Sequence, residues 1–297
     1  MKNFIIVTGG AGFVGTNLIE LLLKKTTHKI ISIDNYSSGT KKNHLKNRRI
    51  RYINGHTKNI SKLLLRYKKD INVIFHFGEF ARIYQSFLKL NDCIDSNSIG
   101  SHAVFNFCLK NDIKLIYSAT SATLGNGGDD KNLSPYAFTK AKNLEMLENL
   151  KKWFKLRFEI IYFYNVYGPR QICKGDMATV IGIFEHSYKN KISLPIVRPG
   201  TQTRRFTHIS DTVKTCLLAW KKNKCRHYSI SHKKSFSILK VASLFKKNIK
   251  YLHQRKGERY ASALTSMNLT NKVFKTFGKI NLEDYIKNFI KINNKSR

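Results

Sequence analysis

The chain has 297 residues, 42% of them hydrophobic, and carries 54 Lys and Arg against 18 Asp and Glu, a formal net charge of +36. That length holds a full core, as one large α/β domain or two intimately joined parts. No run approaches the roughly 18 apolar residues of a membrane span, so no membrane-crossing helix is expected.

The excess charge is spread in doublets such as Lys24-Lys25, Lys41-Lys42, Lys151-Lys152 and Lys233-Lys234, among many Asn and Ile, with no basic tail or Arg-aromatic repeat. It reads as compositional drift, with nucleic acid expected only as a non-specific electrostatic partner. The five cysteines (Cys93, Cys108, Cys173, Cys216, Cys225) show no Cys-x-x-Cys and no paired His spacing, which argues for reduced thiols and no metal. The opening "MKNFIIVTGG" reads as a buried strand rather than a signal peptide. A cytoplasmic location is expected.

In chain order, "FIIVTG" leads into a helix over Thr16–Lys25, then "KIISID", "IRYING", the helical "ISKLLLRYKK", and "NVIFHF". A helical stretch near Asp92–Lys110 precedes "KLIYSA", a helix from about Pro135 to Trp153, and "EIIYFYNVYG". Apolar runs of strand length separated by helices predict a Rossmann-type doubly wound parallel sheet. The pattern turns irregular after Gly168. Residues 1–168 are therefore expected to form the dinucleotide-binding domain, with 204–222 returning to it, and 169–297 a smaller substrate-binding lobe.

"VTGGAGFVG" sets Gly9, Gly12 and Gly15 at G-x-x-G-x-x-G spacing between the first strand and first helix. Missing side chains let backbone turn tightly against a pyrophosphate, and the helix N-terminus offers free N–H groups. Asp34 follows about 20 residues on, as ribose recognition requires, and its charge repels a 2′-phosphate. The motif could be a plain structural turn, but its strand–turn–helix context points to NAD.

"YSATSATLG" leaves a strand for a cluster of small hydroxyl residues that would not fill a core. Shortly after it, "SPYAFTK" puts Tyr136 and Lys140 four apart on one helix face. A phenol near pKa 10 is a poor base at neutral pH, and a neighbouring ammonium stabilises its phenolate. Such a pair often arises by chance; after a dinucleotide loop it carries more weight.

Here the chain resembles the extended short-chain dehydrogenase/reductase superfamily and, within it, the nucleotide-sugar epimerase/dehydratase family, nearest the UDP-glucose 4-epimerases. The motifs are "TGGAGFVG", "DNYSSG", "SATSATLG", "YAFTK", "NVYGPR" and "RRFTHISD", in the family's order over nearly the whole length. The resemblance implies an NAD-dependent nucleotide-sugar 4-epimerase, a homodimeric isomerase of carbohydrate metabolism. Tyr136 would exchange the proton of the sugar 4-hydroxyl, Lys140 would tune Tyr136 and hold the nicotinamide ribose, and Thr120 would orient the hydroxyl. Cofactor contacts would come from Gly9, Gly12, Phe13, Val14, Gly15, Asp34, Asn35, Phe77, Gly78 and Asn97. Substrate contacts would come from Thr120, Ser121, Asn165, the diphosphate-gripping Arg204 and Arg255, and the ribose-binding Glu258.

Family members that dehydrate carry Thr-Asp-Glu where this chain has Thr120-Ser121-Ala122, which argues against 4,6-dehydration. A reductase or decarboxylase of the same family stays open, as does a family member recruited to bind nucleic acid. Ser262, seven after Arg255, matches a position bordering the sugar's C2 substituent, and Ala261 and Ala263 beside it are also small. A small residue there implies room for an N-acetyl group. The chain also departs from the pattern. His56 stands where an acid near the adenine is usual, Ala81 where a cofactor-binding Lys is common, and "DMATVIG" lacks a substrate-binding Asn pair. Gly78-Glu79 replaces small residues after His76. Glu79 is expected to pair with Arg82, the alternative being an extra acid near the nicotinamide.

Overall fold

The computed structural model describes residues 2–124, 126–257 and 273–295. Its centre is an eight-stranded sheet, every neighbouring pair parallel. The first six strands are β1 (Phe4–Thr8), β2 (Lys29–Asp34), β3 (Ile50–Asn54), β4 (Ile71–His76), β5 (Lys114–Thr120) and β6 (Phe158–Phe163). They lie in the order β6-β5-β4-β1-β2-β3, and His227–Ser231 and then Val273–Phe277 extend the sheet beyond β6. Ile5, Ile6 and Val7 of β1 are fully buried because helices cover both faces, which is why the strands read as continuous apolar runs. One core gathers Ile6, Ile31, Phe105, Tyr117 and Leu147; the other gathers Ile5, Leu18, Ile19, Phe75, Val213 and Tyr228.

From β1 the chain moves outward through β2 and β3, then returns to place β4 on β1's other side. That reversal splays the loops after β1 and β4 and opens a crevice at the carboxyl ends of the strands. Helix α1 (Phe13–Lys25) starts in this crevice, with Lys24 and Lys25 in its last turn. The helix Pro135–Phe154 begins with Ser134, whose Oγ accepts from Ala137 N at 3.1 Å, and with Pro135 in its first turn. This cap fixes where Tyr136 and Lys140 emerge.

The expected return of 204–222 is the helix Ile209–Trp220, and the return goes further, since His227–Ser231 and Val273–Phe277 also join the sheet. The second lobe has its own core of Ile181, Phe184, Leu194, Phe206, Val241 and Leu282. It combines the helices Val180–Lys189, Ile238–Leu244 and Leu282–Lys295 with small two-stranded sheets.

Candidate active site

The turn after β1 is built from backbone in contact with backbone. Gly9 has φ +68°, and a Cβ on it would lie 2.7 Å from the Phe77 carbonyl oxygen. A Cβ on Gly15 would lie 2.2 Å from the Gly9 oxygen. No side chain fits at either place, so the start of α1 stays bare for a pyrophosphate. At the end of β2 the Asp34 carboxylate accepts from Ala11 N at 2.9 Å and Tyr36 N at 2.8 Å. Burial pushes its carboxyl above the usual range, and those N–H groups oppose the rise. The cradle with this acid fits an NAD ribose, and the carboxylate repels a 2′-phosphate.

From the cradle a cleft of about 490 Å³ runs between the two lobes. Gly9, Gly12, Phe13, Val14, Gly15, Asp34, Asn35, Phe77 and Gly78 line its cofactor end. Thr120, Ser121, Tyr136, Lys140, Asn165, Arg204 and Arg255 line the remainder. The hydroxyl cluster divides its work. Thr120 Oγ1 accepts from Ala122 N at 3.1 Å and Thr123 Oγ1 turns back to donate to Thr120 O at 2.9 Å. Ser118 Oγ donates to His76 O at 2.9 Å.

Lys140 is 3% exposed. Its ammonium donates to Ser118 O at 2.5 Å and to Glu79 Oε2, and lies 4.8 Å from the Tyr117 ring centroid. The expected Glu79–Arg82 pair is therefore corrected: Glu79 is the counter-ion of Lys140. Glu79 Oε1 also accepts from Ser101 Oγ at 2.7 Å, Tyr117 OH at 2.9 Å and Asn143 Nδ2 at 3.2 Å. Burial alone would raise its carboxyl, but the Lys140 ammonium and the hydrogen bonds from Lys140 and Ser101 hold it below the usual range, so it is ionised. Four donors from three elements outcompete one guanidinium three residues away in sequence.

The network continues inward. His76 Nε2 meets Ser101 Oγ at 3.0 Å, and His76 Nδ1 meets Thr8 Oγ1 at 2.7 Å. Because Ser101 donates to Glu79, its oxygen accepts from His76, which assigns the proton to Nε2. Thr8 Oγ1 then donates to Nδ1 and accepts from Phe77 N at 3.1 Å and Gly78 N at 3.0 Å. Burial lowers the His76 imidazole to about 4, so it is neutral. Side-chain hydrogen bonds thus run unbroken from the end of β1 to Lys140.

The other expected residues divide between the cleft and its surroundings. Asn97 is completely buried and does not line the cleft; its amide accepts from Phe80 N at 2.7 Å and donates to Phe80 O at 3.1 Å. It fastens the loop that carries Glu79. Asn165 lines the cleft with φ +35° and donates to Arg205 O at 2.9 Å. Arg255 stacks over Tyr84 at 5.5 Å. His56 lines the cofactor end, its Nε2 3.3 Å from Asp95 Oδ2. Glu258 and Ser262 lie outside the described residues. Sequence reasoning missed Arg82, which lines the cleft beside Tyr136, and Met177, whose carbonyl it grips. Its arginine was visible, but its direction was set by a carbonyl 95 residues away.

A parallel sheet with a dinucleotide cradle at its switch point and a Tyr–Lys pair beside it defines an NAD-dependent enzyme of the extended short-chain dehydrogenase/reductase type. The family model "NAD dependent epimerase/dehydratase family" matches residues 5–231, and the chain belongs to that family, with NAD as its cofactor. It is 29% identical to a putative UDP-glucose 4-epimerase of Methanocaldococcus jannaschii over 98% of this chain and 100% of that one. It is 30% identical to a UDP-N-acetyl-alpha-D-glucosaminuronate decarboxylase of Bacillus cytotoxicus, covering 74% of this chain and 71% of the other. Among solved structures, the UDP-glucose 4-epimerase of Thermotoga maritima superposes with a TM-score of 0.86 at 23% identity, over 99% of each chain.

Proposed function

We propose that the protein is a nucleotide-sugar 4-epimerase working through a transient 4-keto sugar. The observation that carries this reading is the composition of the cleft wall. Tyr136 and Lys140 face the cleft together with Thr120-Ser121-Ala122, where the dehydrating relatives need two acids. NAD, when bound, supplies a reversible hydride acceptor at its nicotinamide. Tyr136 Oη takes the proton of the sugar 4-hydroxyl and later returns it. Thr120 and Ser121 orient that hydroxyl, and Lys140 keeps one N–H beyond those given to Ser118 and Glu79 for the nicotinamide ribose. Arg204 and Arg255 hold the diphosphate. Neither proton nor electron leaves over a full cycle, in keeping with a catalytic pair enclosed by protein.

The test is to incubate the pure protein with a panel of nucleotide sugars and read products by NMR. Interconversion at C4 with no net NADH supports the reading; release of CO2 or net NADH assigns the decarboxylase or another redox reaction instead. The substrate range includes an N-acetylhexosamine nucleotide such as UDP-N-acetylglucosamine, on the strength of the small Ser262. Ser262→Tyr should selectively lower turnover on that sugar relative to UDP-glucose, and an unchanged ratio sinks the assignment. A homodimer fits the exposed Ile94, Ile99, Phe138 and Met146 on the two helical stretches 90–110 and 135–154. Light scattering at micromolar concentration decides it.

A further inference from the structure

Two loops face each other across the cleft. Ala81, Arg82 and Ile83 line it from the first lobe, and Ile172, Met177, Ala178, Thr179 and Val180 line it from the second. The second-lobe loop is closed at its base. Thr179 N donates to Ile172 O at 2.9 Å, and Thr179 Oγ1 donates to Gln171 Oε1 at 2.8 Å. Gln171 Nε2 donates in turn to Glu185 Oε2 at 2.9 Å, which ties the base to the helix Val180–Lys189.

The tip, residues 174–178, is held differently. Within it Ala178 N donates to Gly175 O at 3.1 Å, and a Cβ on Gly175 would meet nothing within 4 Å. Among the described residues, the polar bonds that reach the tip from outside its own loop both come from the first lobe. Arg82 Nε donates to Met177 O at 3.0 Å, and Nη2 donates to the same oxygen. Lys89 Nζ lies 3.5 Å from Asp176 Oδ2, with both side chains exposed, so this pair adds little. Arg82 itself is well anchored. Its Nη1 donates to Ala81 O at 2.8 Å, it caps the helix Ile83–Leu88, and Ile83 packs against the cluster of Cys93, Ala122, Tyr136 and Ala137. A guanidinium on a carbonyl binds more strongly than an amide would and less strongly than a fork on a carboxylate. Such a bond closes at rest and opens without separating two charges.

We propose that Arg82 is a positioning residue that acts through Met177: it clasps the loop tip across the cleft and keeps the second-lobe wall closed while substrate is inside. The consequence for catalysis rests on the proposed function. A 4-keto sugar that escapes between the two hydride transfers leaves NADH on the protein, the hydroxyl proton having gone to water, and that molecule cannot oxidise a fresh substrate. The clasp confines the keto sugar until the hydride returns.

The first experiment needs no sugar. The full-length protein is treated briefly with trypsin, and mass spectrometry compares initial cuts after Lys174, in the tip, with cuts after Lys222, in the exposed turn following the helix Ile209–Trp220. A protease takes an extended segment, so the early rate follows the open fraction of the loop. Arg82→Gln should raise the ratio of the two cuts about tenfold, the effect of losing a hydrogen bond from a charged group. Arg82→Lys, with one ammonium in place of the fork, should fall between wild type and Arg82→Gln. Lys89→Gln should move the ratio less than Arg82→Gln does. An unchanged ratio in Arg82→Gln, or an equal rise in Lys89→Gln, overturns the clasp. If Arg82→Gln does not fold, a raised ratio in Arg82→Lys supports the clasp and an unchanged one overturns it.

The second experiment follows the fluorescence of bound NADH during turnover on whichever nucleotide sugar the NMR panel identifies. NADH should accumulate in Arg82→Gln, less in Arg82→Lys, and not in the wild type. A raised cleavage ratio without that accumulation overturns the confinement of the keto sugar. If no sugar is turned over, the proposed function fails, while the cleavage ratio still decides the clasp.

Discussion

The loops on either side of the switch point are held by different physics. The turn after β1 is backbone against backbone: Gly9 and Gly15 leave no volume for a side chain, and its shape follows from hard-sphere contact. The turn after β4 is held by charge, through Glu79 on Lys140 and Arg82 on the Met177 carbonyl. The first is specified by shape, Gly15 against Gly9 within seven residues and Gly9 against the Phe77 backbone across the switch point. The second is specified by side-chain partners 61 and 95 residues away. A steric arrangement needs small residues at fixed places, whereas a charge network can be rewired within one fold, and the family pattern is broken at the second turn rather than the first.

Substitutions at the two turns should therefore fail differently. The largest effect is expected from Tyr136→Phe, which keeps the ring and removes the proton carrier. Turnover should fall by about two to four orders of magnitude while retained NAD, measured in the purified protein, is unchanged. Near-normal turnover would detach the charged turn from catalysis. Glu79→Ala strands a buried ammonium, and unfolding in denaturant should show a loss of about 3 to 5 kcal/mol, with Glu79→Gln losing less because the amide still accepts from Ser101 and Tyr117. Equal stability of the two variants would mean that shape, not charge, holds this turn.

His76 gives the network an acid limit. Its imidazole is held at about 4 in the fold, against an ordinary value of 6.5, so on acidification the unfolded chain takes up the proton first. Stability from this group is complete above about pH 6.5, declines as the pH falls toward 4, and is flat below, a total of about 3 kcal/mol. Thermal midpoints measured across that window should flatten in His76→Gln, and a parallel curve would remove His76 as the cause. The smallest effect falls on the steric turn. Gly15→Ala must push the Gly9 carbonyl aside, at about 1 to 3 kcal/mol of stability, but NAD affinity by calorimetry should drop disproportionately. A variant that keeps NAD would show that the cradle has slack.

The same contrast explains what the sequence disclosed. The strand runs are local patterns with local causes, and the fold bears them out; the glycine turn, Asp34, Tyr136 and Lys140, equally legible as short motifs, line one cleft. His227–Ser231 was missed because "HYSIS" is too mixed in polarity to read as a buried strand, although all five residues are buried. Asn97 was read as a cofactor contact; its place on a π-turn over Asp95–Gly100 sends its amide to Phe80 instead. Glu79 and Arg82 were visible as charges three apart, and sequence distance favoured pairing them. The competing donors from Ser101, Tyr117, Lys140 and Asn143 belong to a three-dimensional arrangement that no spacing records.

The interleaving of the chain between the lobes has a mechanical consequence. After Gly168 the backbone enters the second lobe, returns through Ile209–Trp220 and His227–Ser231, leaves again, and returns once more at Val273–Phe277. The lobes are thus joined by a stitched seam and not by a single tether. Several crossings restrain the two lobes more than one tether would. Severing the chain at 168 would also strip Ile209, Val213 and Cys216 from the core they share with Leu18, Ile19 and Leu22 of α1, so the boundary between the lobes is not a place to cut.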